Sequence, residues 1–500
     1  MHRTEHLLAT AWERDSCPSL TPMPLQRVRF AEAVPEVFRA SLQEIRREQE
    51  VPAEFPPEVT AAALEAAQHA RLPELDRTDL EFVTIDPPDS MDLDQALHIE
   101  RTGDGFTVYY AIADVAAFVQ AGDPIDAEAR RRGETLYAPD KRTPLHPPEL
   151  SEGAASLLPD QVRPALLWTI TVDAGGESTG VTCERALVKS RAKLNYAGVQ
   201  KDLDAGTASE SLHLLREVGK LREQRELERG GVNLPIPDQE VVTSNHGWGL
   251  EFRAPLPVEG WNAQISLLTG TAAAQLMTKG KIGILRTLPE SHDDLRRKLG
   301  NTAKALGIVW SDEATYAEFI HGLDPKVPAH AAMLAACTVL FRGAGYTAFD
   351  GQVPEQSQHA AMKAAYAHVT APLRRLVDRW AGEICVALSA GVEVPAWVRD
   401  SMDEIPKIMD DADRRAHAYE RSIVGMVEAG LVADQVGSEF DGVITDVDDK
   451  ENTRGIVTLT KFAIEGRVTG TALPLGQKVR VKLVEADIAK RTVAFELVQN

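Results

Sequence analysis

The chain has 500 residues, of which 44% are hydrophobic and 26% are charged, and its formal net charge is -21. Because single hydrophobic cores stop growing at about 250 to 300 residues, this length predicts more than one domain. The acidic balance argues against a protein that coats nucleic acid by general attraction, since such domains are usually basic. Any nucleic-acid partner must therefore be bound locally.

The cysteine pattern and the apolar runs indicate the compartment. The four cysteines are widely separated and form no CxxC pair, so the sequence predicts neither a disulfide framework nor a zinc site. The first residues, MHRTEHLLATAWERD, interrupt their apolar run with charges and lack the core of a secretory signal. No apolar run reaches the roughly 20 residues of a membrane span. We expect a cytoplasmic protein that does not enter a membrane.

Residues 1 to 78 are predicted to form a helical module. Apolar residues recur at helical spacing in VPEVFRASLQEIRREQE and in PPEVTAAALEAAQHARL, and the proline-rich VPAEFPP separates the two stretches. We predict a helix-turn-helix arrangement, although no recognition-helix signature supports it.

Residues 79 to 436 are predicted to form one mixed α/β domain. Strand-like runs begin near Leu80, and LHIE and FTVYYAIADV flank RTGDGF, a good hairpin turn. Helical patterns follow in SLHLLREVGKLREQRELER and SHDDLRRKLGNTAKAL, and a longer one, DADRRAHAYERSIVGMVEAGLVADQV, ends at Gly437.

Residues 437 to 500 contain five short β-like runs, which predict a five-stranded OB-type barrel. Within KVRVKL, the alternation places Lys478, Arg480 and Lys482 on the face opposite the apolar one. These cations are candidate RNA contacts. A solvated edge strand explains the pattern about equally well.

The stretch TIDPPDSMDLDQAL crowds four carboxylates together, those of Asp86, Asp89, Asp92 and Asp94. Two like charges about 4 Å apart cost on the order of 1 kcal/mol in water and about 4 kcal/mol at a partly buried site, so a cation should compensate. Mg²⁺ takes such oxygen ligands together with water and substrate phosphates. The paired prolines force a loop that turns Asp86 back toward Asp92 and Asp94. The alternative is an acidic surface loop in which aspartate and proline only form turns.

At this point the sequence resembles a known family. FVTIDPPDSMDLDQAL is similar to the signature of the ribonuclease II, or RNB, family of hydrolytic exoribonucleases, in which aspartates in the pattern D-x5-D-x-D-D bind Mg²⁺. Asp86, Asp92 and Asp94 match the first three aspartates, whereas Gln95 stands at the fourth position and Asp89 is additional. Three later segments resemble family motifs in the same order: AIADVAAFVQAGDPIDAEARRRGETLYAPD, HPPELSEGAASLLPDQVRPAL and YAHVTAPLRRLVD.

The resemblance implies a fold and an activity. The fold is a multidomain α+β protein with a mixed α/β RNB-type catalytic domain and a C-terminal five-stranded S1-type OB-fold β-barrel. The helical N-terminal module replaces the cold-shock domains that are common in the family. The implied activity is the Mg²⁺-dependent hydrolysis of single-stranded RNA from its 3′ end to nucleoside 5′-monophosphates. We expect a monomer, with Mn²⁺ as a second possible cofactor.

Site residues follow from the matching positions. The resemblance assigns catalysis to Asp86, Asp92, Asp94, Arg374 and Glu420, and metal binding to Asp86, Asp92, Asp94 and Gln95. Tyr137 would stack on the RNA end, Tyr196 and Gln264 would read the ribose 2′-OH, and Arg375 would add a further RNA contact. Gln95 can lend a carbonyl oxygen to a cation but carries no charge, and Asp89 is a candidate to supply the missing one.

Two other classes stay open. Because of Gln95, the chain can be an RNA-binding protein with an attenuated or inactive nuclease centre. A metal-dependent phosphatase or DNA nuclease could use the same aspartates. Basic residues near the motifs predict a narrow positive channel in an acidic body; they are Arg130, Arg131, Arg132, Lys141, Arg142, Lys189, Arg191, Lys193, Arg374, Arg375 and Arg379.

Overall fold

The computed structural model describes residues 28–30, 35–235, 238–244, 247–290, 293–448, 451–459 and 464–498. The N-terminal stretch MHRTEHLLATAWERD lies outside these residues. The N-terminal part contains β1 (Val28–Phe30), α1 (Glu36–Glu48) and α2 (Pro57–Gln68).

The central part alternates strands and helices. Its first half contains β2 (Phe82–Ile85), β3 (Gln95–Thr102), β4 (Gly105–Ala113), α3 (Pro124–Arg132), β5 (Leu136–Tyr137), β6 (Arg142–Thr143), β7 (Val162–Val172), β8 (Ser178–Leu194), α4 (Tyr196–Ala205) and α5 (Glu210–Glu228). Its second half contains β9 (Asp238–Ser244), β10 (Gly247–Arg253), α6 (Pro257–Gly280), β11 (Ile282–Thr287), α7 (Asp293–Ala305), α8 (Tyr316–His321), α9 (Pro328–Ala336), β12 (Gly345–Asp350), α10 (Leu376–Ala390), α11 (Ala396–Arg399) and α12 (Ile405–Val432).

A closed barrel of five strands organises this central part, in the order β2-β3-β4-β7-β8. Strands β3, β4, β7 and β8 pair antiparallel in succession, and β2 closes the barrel by pairing antiparallel with β3 and parallel with β8. The β3–β4 hairpin turns at Gly103, which has a φ of 59° that favours glycine. The predicted hairpin is therefore present, and it is one wall of a barrel.

Helices pack around the central barrel, and together with its strands they form the largest apolar cluster of the described residues. Trp168 of β7 is fully buried in one apolar cluster with residues of α5, α6 and α10, including Trp261 and Trp380. The approach of α5 to α6 is close, because a Cβ at Gly219 would lie 2.4 Å from the Cβ of Trp261. The prediction of a mixed α/β domain is confirmed.

A second closed barrel occupies the C-terminal part. Its strands are β13 (Glu439–Val447), β14 (Arg454–Leu459), β15 (Glu465–Thr469), β16 (Lys478–Asp487) and β17 (Thr492–Leu497), in the order β13-β14-β15-β17-β16. The inward residues Val481 and Leu483 are fully buried, as the alternation in KVRVKL predicts. The predicted five-stranded barrel is confirmed.

The two predicted N-terminal helices are present, but they do not share one core. Phe38, Leu42 and Ile45 of α1 are buried in a cluster with α12 and the C-terminal barrel. Val59 and Ala63 of α2 are buried in another cluster, beneath the central barrel. The proline-rich turn separates the two helices, so the apolar face of each helix packs against a different part of the protein. The remaining parts of the predicted module, residues 1–27 and 31–34, lie outside the described residues.

Of the helices that the structure describes, none is both long enough and apolar enough to cross a membrane.

Candidate active site

The predicted aspartate loop lies at one end of the central barrel, between β2 and β3. Asp86 directly follows β2, and its backbone N–H donates to the carbonyl of Leu194 at the end of β8 (3.1 Å). Asp94 directly precedes β3, and its carbonyl accepts from the N–H of Ala113 at the end of β4 (2.9 Å). Both ends of the loop are therefore fixed to the barrel by backbone hydrogen bonds.

Ser156 holds the middle of this loop. Its buried hydroxyl donates to the carbonyl of Met91 (2.6 Å) and accepts from the N–H of Leu93 (3.0 Å), so it brackets Asp92 from both sides. The N–H of Leu157 also donates to the carbonyl of Leu93 (3.0 Å). Ser156 was not among the predicted site residues, because its backbone partners are more than 60 residues away in sequence and leave no local pattern.

The segment before α10, residues 366–375, reaches the same place from the other half of the domain. One carboxylate oxygen of Asp94 accepts from the N–H of Leu373 (2.8 Å), and the other accepts from Nε of Arg374 (2.7 Å). Asp94 is buried, with 2% of its surface exposed. The structure thus brings together Asp94 and Arg374, which two separate motifs had singled out.

Arg374 is oriented for a second partner. Only its Nε is used by Asp94, and within the described residues its two Nη groups make no hydrogen bond. The side chain stays 35% exposed. Its backbone is fixed as well, because its carbonyl accepts from the N–H of Thr135 (2.9 Å). The outward half of the guanidinium can therefore donate to an oxyanion, for which its planar fork is well suited.

Burial destabilises the charge on two of the aspartates. It raises the pKa of Asp86 to about 6, against the opposing effect of the Arg374 cation. It also raises the pKa of Asp94 to about 7, although Arg374 and the Leu373 N–H favour the carboxylate. Asp86 accepts no side-chain hydrogen bond from the described residues, so its carboxylate lacks direct compensation. A bound cation would supply what it lacks.

Gln95, the departure from the family pattern, is engaged by the protein itself. Its Nε2 donates to the carbonyl of Thr370 (2.6 Å), and its Oε1 accepts from the hydroxyl of Tyr110. Thr370 in turn shares a hydrogen bond with Ser266 of α6 (2.7 Å). The side chain therefore links β3 to the segment that carries Arg374. The extra aspartate, Asp89, is exposed on the loop.

Asp92 forms an ion pair with Arg142, which was predicted from the sequence only as one of the cations of a positive channel. Nη1 of Arg142, on β6, donates to Asp92, and Nη2 lies 2.7 Å from a carboxylate oxygen of Glu152. Asp92 is only 9% exposed, so this contact neutralises a largely buried carboxylate. Neither Arg142 nor Glu152 belongs to the predicted metal and catalytic set.

Two of the predicted RNA contacts lie beside the aspartates. Tyr196 begins α4, and its hydroxyl accepts from Nδ2 of Asn262 (3.3 Å). Burial raises the pKa of Tyr196 to about 12, and the nearby Asp86 adds to the effect. Tyr137 is half-buried on β5, opposite Arg142 in the β5–β6 hairpin, and it lies within electrostatic reach of Arg374.

Other predicted site residues are occupied elsewhere. Gln264 is 2% exposed and donates to Glu226 of α5 (2.7 Å), so the structure buries a residue expected to read the ribose. Arg375 forms a bidentate pair with Asp378 (2.9 Å for both bonds). Both side chains therefore stabilise helix contacts in this arrangement, which sequence alone could not distinguish from binding positions.

Glu420 lies half-buried on α12. The preceding residue, Tyr419, accepts a hydrogen bond from Nε of Arg46 in α1 (3.1 Å). This part of α12 thus contacts the N-terminal helix, and a catalytic role for Glu420 stays a prediction.

Several basic residues expected to line a channel are bound to acids instead. Arg132 pairs with Glu128 (2.7 Å) and Arg379 pairs with Asp126 (2.7 Å), and both arginine side chains are almost fully buried. Breaking either pair would leave an uncompensated buried charge, so these two arginines are committed to the fold. The predicted positive channel depends on the cations that stay accessible, which include Lys141, Arg191 and the outer half of Arg374.

The predicted cations of the C-terminal barrel are exposed on β16, but acids of β13 lie opposite two of them. Lys482 pairs in register with Glu439, and Arg480 pairs with Asp441. Arg480 also binds Glu439 (3.1 Å) and Asp441 (3.4 Å) through its guanidinium. Lys478 and Lys482 form no ion pair with the described residues, so they are better placed than Arg480 to contact RNA.

The donor set fits one divalent cation better than an all-protein cage. No group of three histidine, cysteine or acidic side chains among the described residues is arranged to hold a metal ion. Mg²⁺, however, is commonly bound through one or two carboxylates, with water and substrate phosphates completing its coordination. Asp86, which is half-buried, and Asp94, which is buried, are the candidates for this role, because burial disfavours the charge of both carboxylates.

Comparison with known proteins gives matches to both parts of the chain. The family model described as "RNB domain" matches residues 75–384, and the one described as "RNase II-type exonuclease C-terminal S1 domain" matches residues 438–498. Ribonuclease R of Escherichia coli is 26% identical over 484 residues, which cover 87% of this chain and 59% of that protein. The chain therefore spans less than two thirds of the length of this relative.

Solved structures show the same fold. RNase R of Mycoplasma genitalium, in complex with ribose methylated single-stranded RNA, covers 91% of this chain and 77% of its own, with a TM-score of 0.78 and 21% identity. Yeast Ssd1, described as a pseudonuclease, covers 92% of this chain and 58% of its own, with a TM-score of 0.64 and 16% identity. At these identities the likeness shows the fold alone.

Proposed function

Because the chain belongs to the RNB-domain family, we propose that it is an exoribonuclease that hydrolyses single-stranded RNA from the 3′ end to nucleoside 5′-monophosphates. The observation that carries this proposal is the contact between Asp94 and Arg374, 280 residues apart, beside Asp86 and Asp92. Buried acids next to a half-exposed guanidinium are suited to a phosphodiester, which brings negative charge and needs both a cation and hydrogen-bond donors.

In this proposal a divalent cation, Mg²⁺ or Mn²⁺, binds at Asp86 and Asp94, with Asp92 beside them. When bound, the cation supplies Lewis acidity toward a phosphate oxygen and a water molecule. The protein supplies the positions of these acids, since both ends of the loop are fixed to barrel strands and Ser156 fixes its middle. Preorganised carboxylates avoid the reorganisation that free groups would require.

The remaining residues orient the RNA. Arg374 donates from its outer Nη groups to the scissile phosphate while its Nε stays on Asp94. Tyr137 stacks on a base at the 3′ end, and the hydroxyl of Tyr196 contacts the ribose near Asp86. The partner is one RNA strand bound by a monomeric protein in the cytoplasm; the buried free thiols of Cys183, Cys337 and Cys385 suit a reducing compartment.

A second candidate is an RNA-binding protein whose nuclease centre is attenuated. Two observations favour it: Gln95 carries no charge and is bound by Tyr110 and Thr370, and Arg142 occupies Asp92. Such a protein would retain RNA without shortening it.

Incubation of the purified chain with 5′-labelled single-stranded RNA separates the two candidates. The enzyme is expected to give shortening ladders with Mg²⁺ or Mn²⁺ and none with EDTA, whereas the binder gives a shifted, intact band. Single-stranded DNA is the parallel substrate, and its cleavage would instead indicate a DNA nuclease.

Asp94→Asn is the decisive variant for the enzyme. The loss of one charge at a buried position that contacts Arg374 should lower the cleavage rate about 100-fold or more while RNA binding is retained. Asp89→Asn, at the exposed aspartate of the same loop, is the matched control and should leave the rate unchanged. Equal rates for wild type and Asp94→Asn would contradict the proposal.

A further inference from the structure

Arg142 occupies a place in the acidic loop where a cation is needed. Its guanidinium contacts two carboxylates, Asp92 through Nη1 and Glu152 through Nη2 (2.7 Å). The side chain is 24% exposed, so most of the group is removed from solvent. A cation that bridges two acids beside Asp94 performs the charge compensation that the sequence argument had assigned to metal ions.

Arg142 is held there by the same backbone that holds Arg374. It pairs in register with Tyr137 in the β5–β6 hairpin. Two residues before Tyr137, the N–H of Thr135 donates to the carbonyl of Arg374 (2.9 Å). Ser156 fixes the other partner, because its hydroxyl binds the backbone on both sides of Asp92. The contact between Arg142 and Asp92 therefore joins two elements that are each anchored independently.

The fourth position of the acidic pattern adds no free ligand. Gln95 uses its Nε2 for the carbonyl of Thr370 (2.6 Å) and its Oε1 for the hydroxyl of Tyr110. A second metal ion would have to displace these partners or Arg142. Both displacements leave buried polar groups unpaired, which is unfavourable.

The formal charges of the centre also indicate a single metal ion. The centre has four carboxylates, those of Asp86, Asp92, Asp94 and Glu152, and two guanidinium groups bonded directly to them, those of Arg142 and Arg374. The remaining formal charge is that of two carboxylates, which one divalent cation balances. Lys193 adds a further positive charge near Asp86 while its ammonium donates to the carbonyl of Pro88 (2.6 Å). The negative charge of one RNA phosphodiester balances this ammonium, so the count leaves no charge for a second metal ion.

We infer that Arg142 is a built-in cation that takes the place of a second metal ion, so that Asp86 and Asp94 would hold a single divalent cation. This inference rests on the proposed function, since it concerns the cation of the same centre. Arg142 is therefore a positioning residue, because it acts on the metal site through Asp92. Because RNA phosphate would complete the coordination of the one ion, metal and RNA should bind cooperatively.

The test is to count Mn²⁺ ions bound to the full chain. Free Mn²⁺ is measured by electron paramagnetic resonance during a titration, with and without a single-stranded RNA whose terminal linkage resists hydrolysis. Wild type should bind one ion per chain, more tightly with RNA. Arg142→Gln removes the charge and should bind a second ion or raise Mn²⁺ affinity about tenfold. Arg142→Lys keeps the charge and should bind one ion.

Arg399→Gln is the matched control, because Arg399 forms an exposed ion pair with Asp350 (2.8 Å) in another part of the chain. It should bind Mn²⁺ as wild type does. Two ions on wild type would overturn the inference, and this count does not depend on whether Arg142→Gln folds. The inference would also be overturned if folded Arg142→Gln bound one ion with unchanged affinity. Equal Mn²⁺ binding by Arg142→Gln and Arg142→Lys would overturn it as well.

The readout separates this inference from the proposed function. One ion bound without any RNA cleavage would support the role of Arg142 and contradict the exoribonuclease. Cleavage by a wild-type chain that binds two ions would support the exoribonuclease and contradict the role of Arg142.

Discussion

At the scale of single residues, the candidate site contains a neutral side chain, Gln95, among its charged residues. Gln95 stands where the family pattern has an acid, and its amide binds both Tyr110 and Thr370. An aspartate there could not donate to the carbonyl of Thr370. The substitution therefore exchanges a negative charge for a link between β3 and the segment that carries Arg374.

A buried histidine near the same segment makes stability depend on pH. His146 is 2% exposed, and burial, with a contribution from the Arg379 cation, lowers its pKa to about 3. In the unfolded chain a histidine titrates near about 6.5. Between these two pKa values the unfolded state binds the additional proton, so the stability that neutral His146 contributes is complete above pH 6.5 and is lost as the pH falls toward 3.

His146→Gln should remove this dependence. The unfolding free energy of wild type should fall, between pH 6 and pH 4, by about 1.4 kcal/mol per pH unit more than that of the variant. Urea unfolding at several pH values measures the difference. Parallel pH profiles for the two proteins would contradict the assignment of His146 as a buried neutral group.

At the scale of elements, the segment 366–375 depends on close contact with α6. The N–H of Ala367 donates to the carbonyl of Gly270 (3.1 Å), and a Cβ at Gly270 would lie 2.2 Å from the ring of Tyr366. No side chain larger than glycine fits there without movement. The position of Arg374 is thus set partly by a glycine about a hundred residues earlier in the chain.

Gly270→Ala should therefore displace the segment. The expected cost is about 1 to 3 kcal/mol of unfolding free energy, as for other overpacked sites, together with a lower rate of RNA cleavage. Gly300→Ala is the control, because Gly300 lies within α7 and a Cβ there meets nothing within 4 Å. This control should raise stability by about 0.5 to 1 kcal/mol. Equal stability of Gly270→Ala and wild type would show that the contact is not restrictive.

At the scale of the whole molecule, α1 and the C-terminal barrel lie together against α12. The apolar face of α1 packs against α12 and the C-terminal barrel, and Arg491 of that barrel forms a bidentate pair with Glu48 of α1. Because the formal charge is -21, binding of the proposed RNA partner would depend on local cations. On the C-terminal barrel these are Lys478 and Lys482, whereas Arg480 is bound by two acids.

The salt dependence of RNA binding tests this surface. Lys478→Gln with Lys482→Gln should weaken binding and reduce the slope of log affinity against log salt by about 0.7 for each lost phosphate contact. Glu439→Gln should strengthen binding, because it releases Arg480 from one acid and removes the charge opposite Lys482. Lys407→Gln, at an exposed lysine on α12, is the control. Unchanged slopes would place the RNA away from this barrel face.

The sequence by itself predicted many of the elements and singled out the aspartate loop. Periodicity predicted α1, α2, α5, α7, α12 and all five strands of the C-terminal barrel, because these patterns depend on neighbours along the chain. The resemblance singled out Asp94 and Arg374 separately, in two different motifs. Only the tertiary structure decided the partners of these residues: Arg142 on Asp92, Ser156 on the loop backbone, and Glu226 on a buried Gln264. Such contacts join residues 38 to 65 positions apart, and no local pattern specifies which side chain will fill the space beside a buried charge.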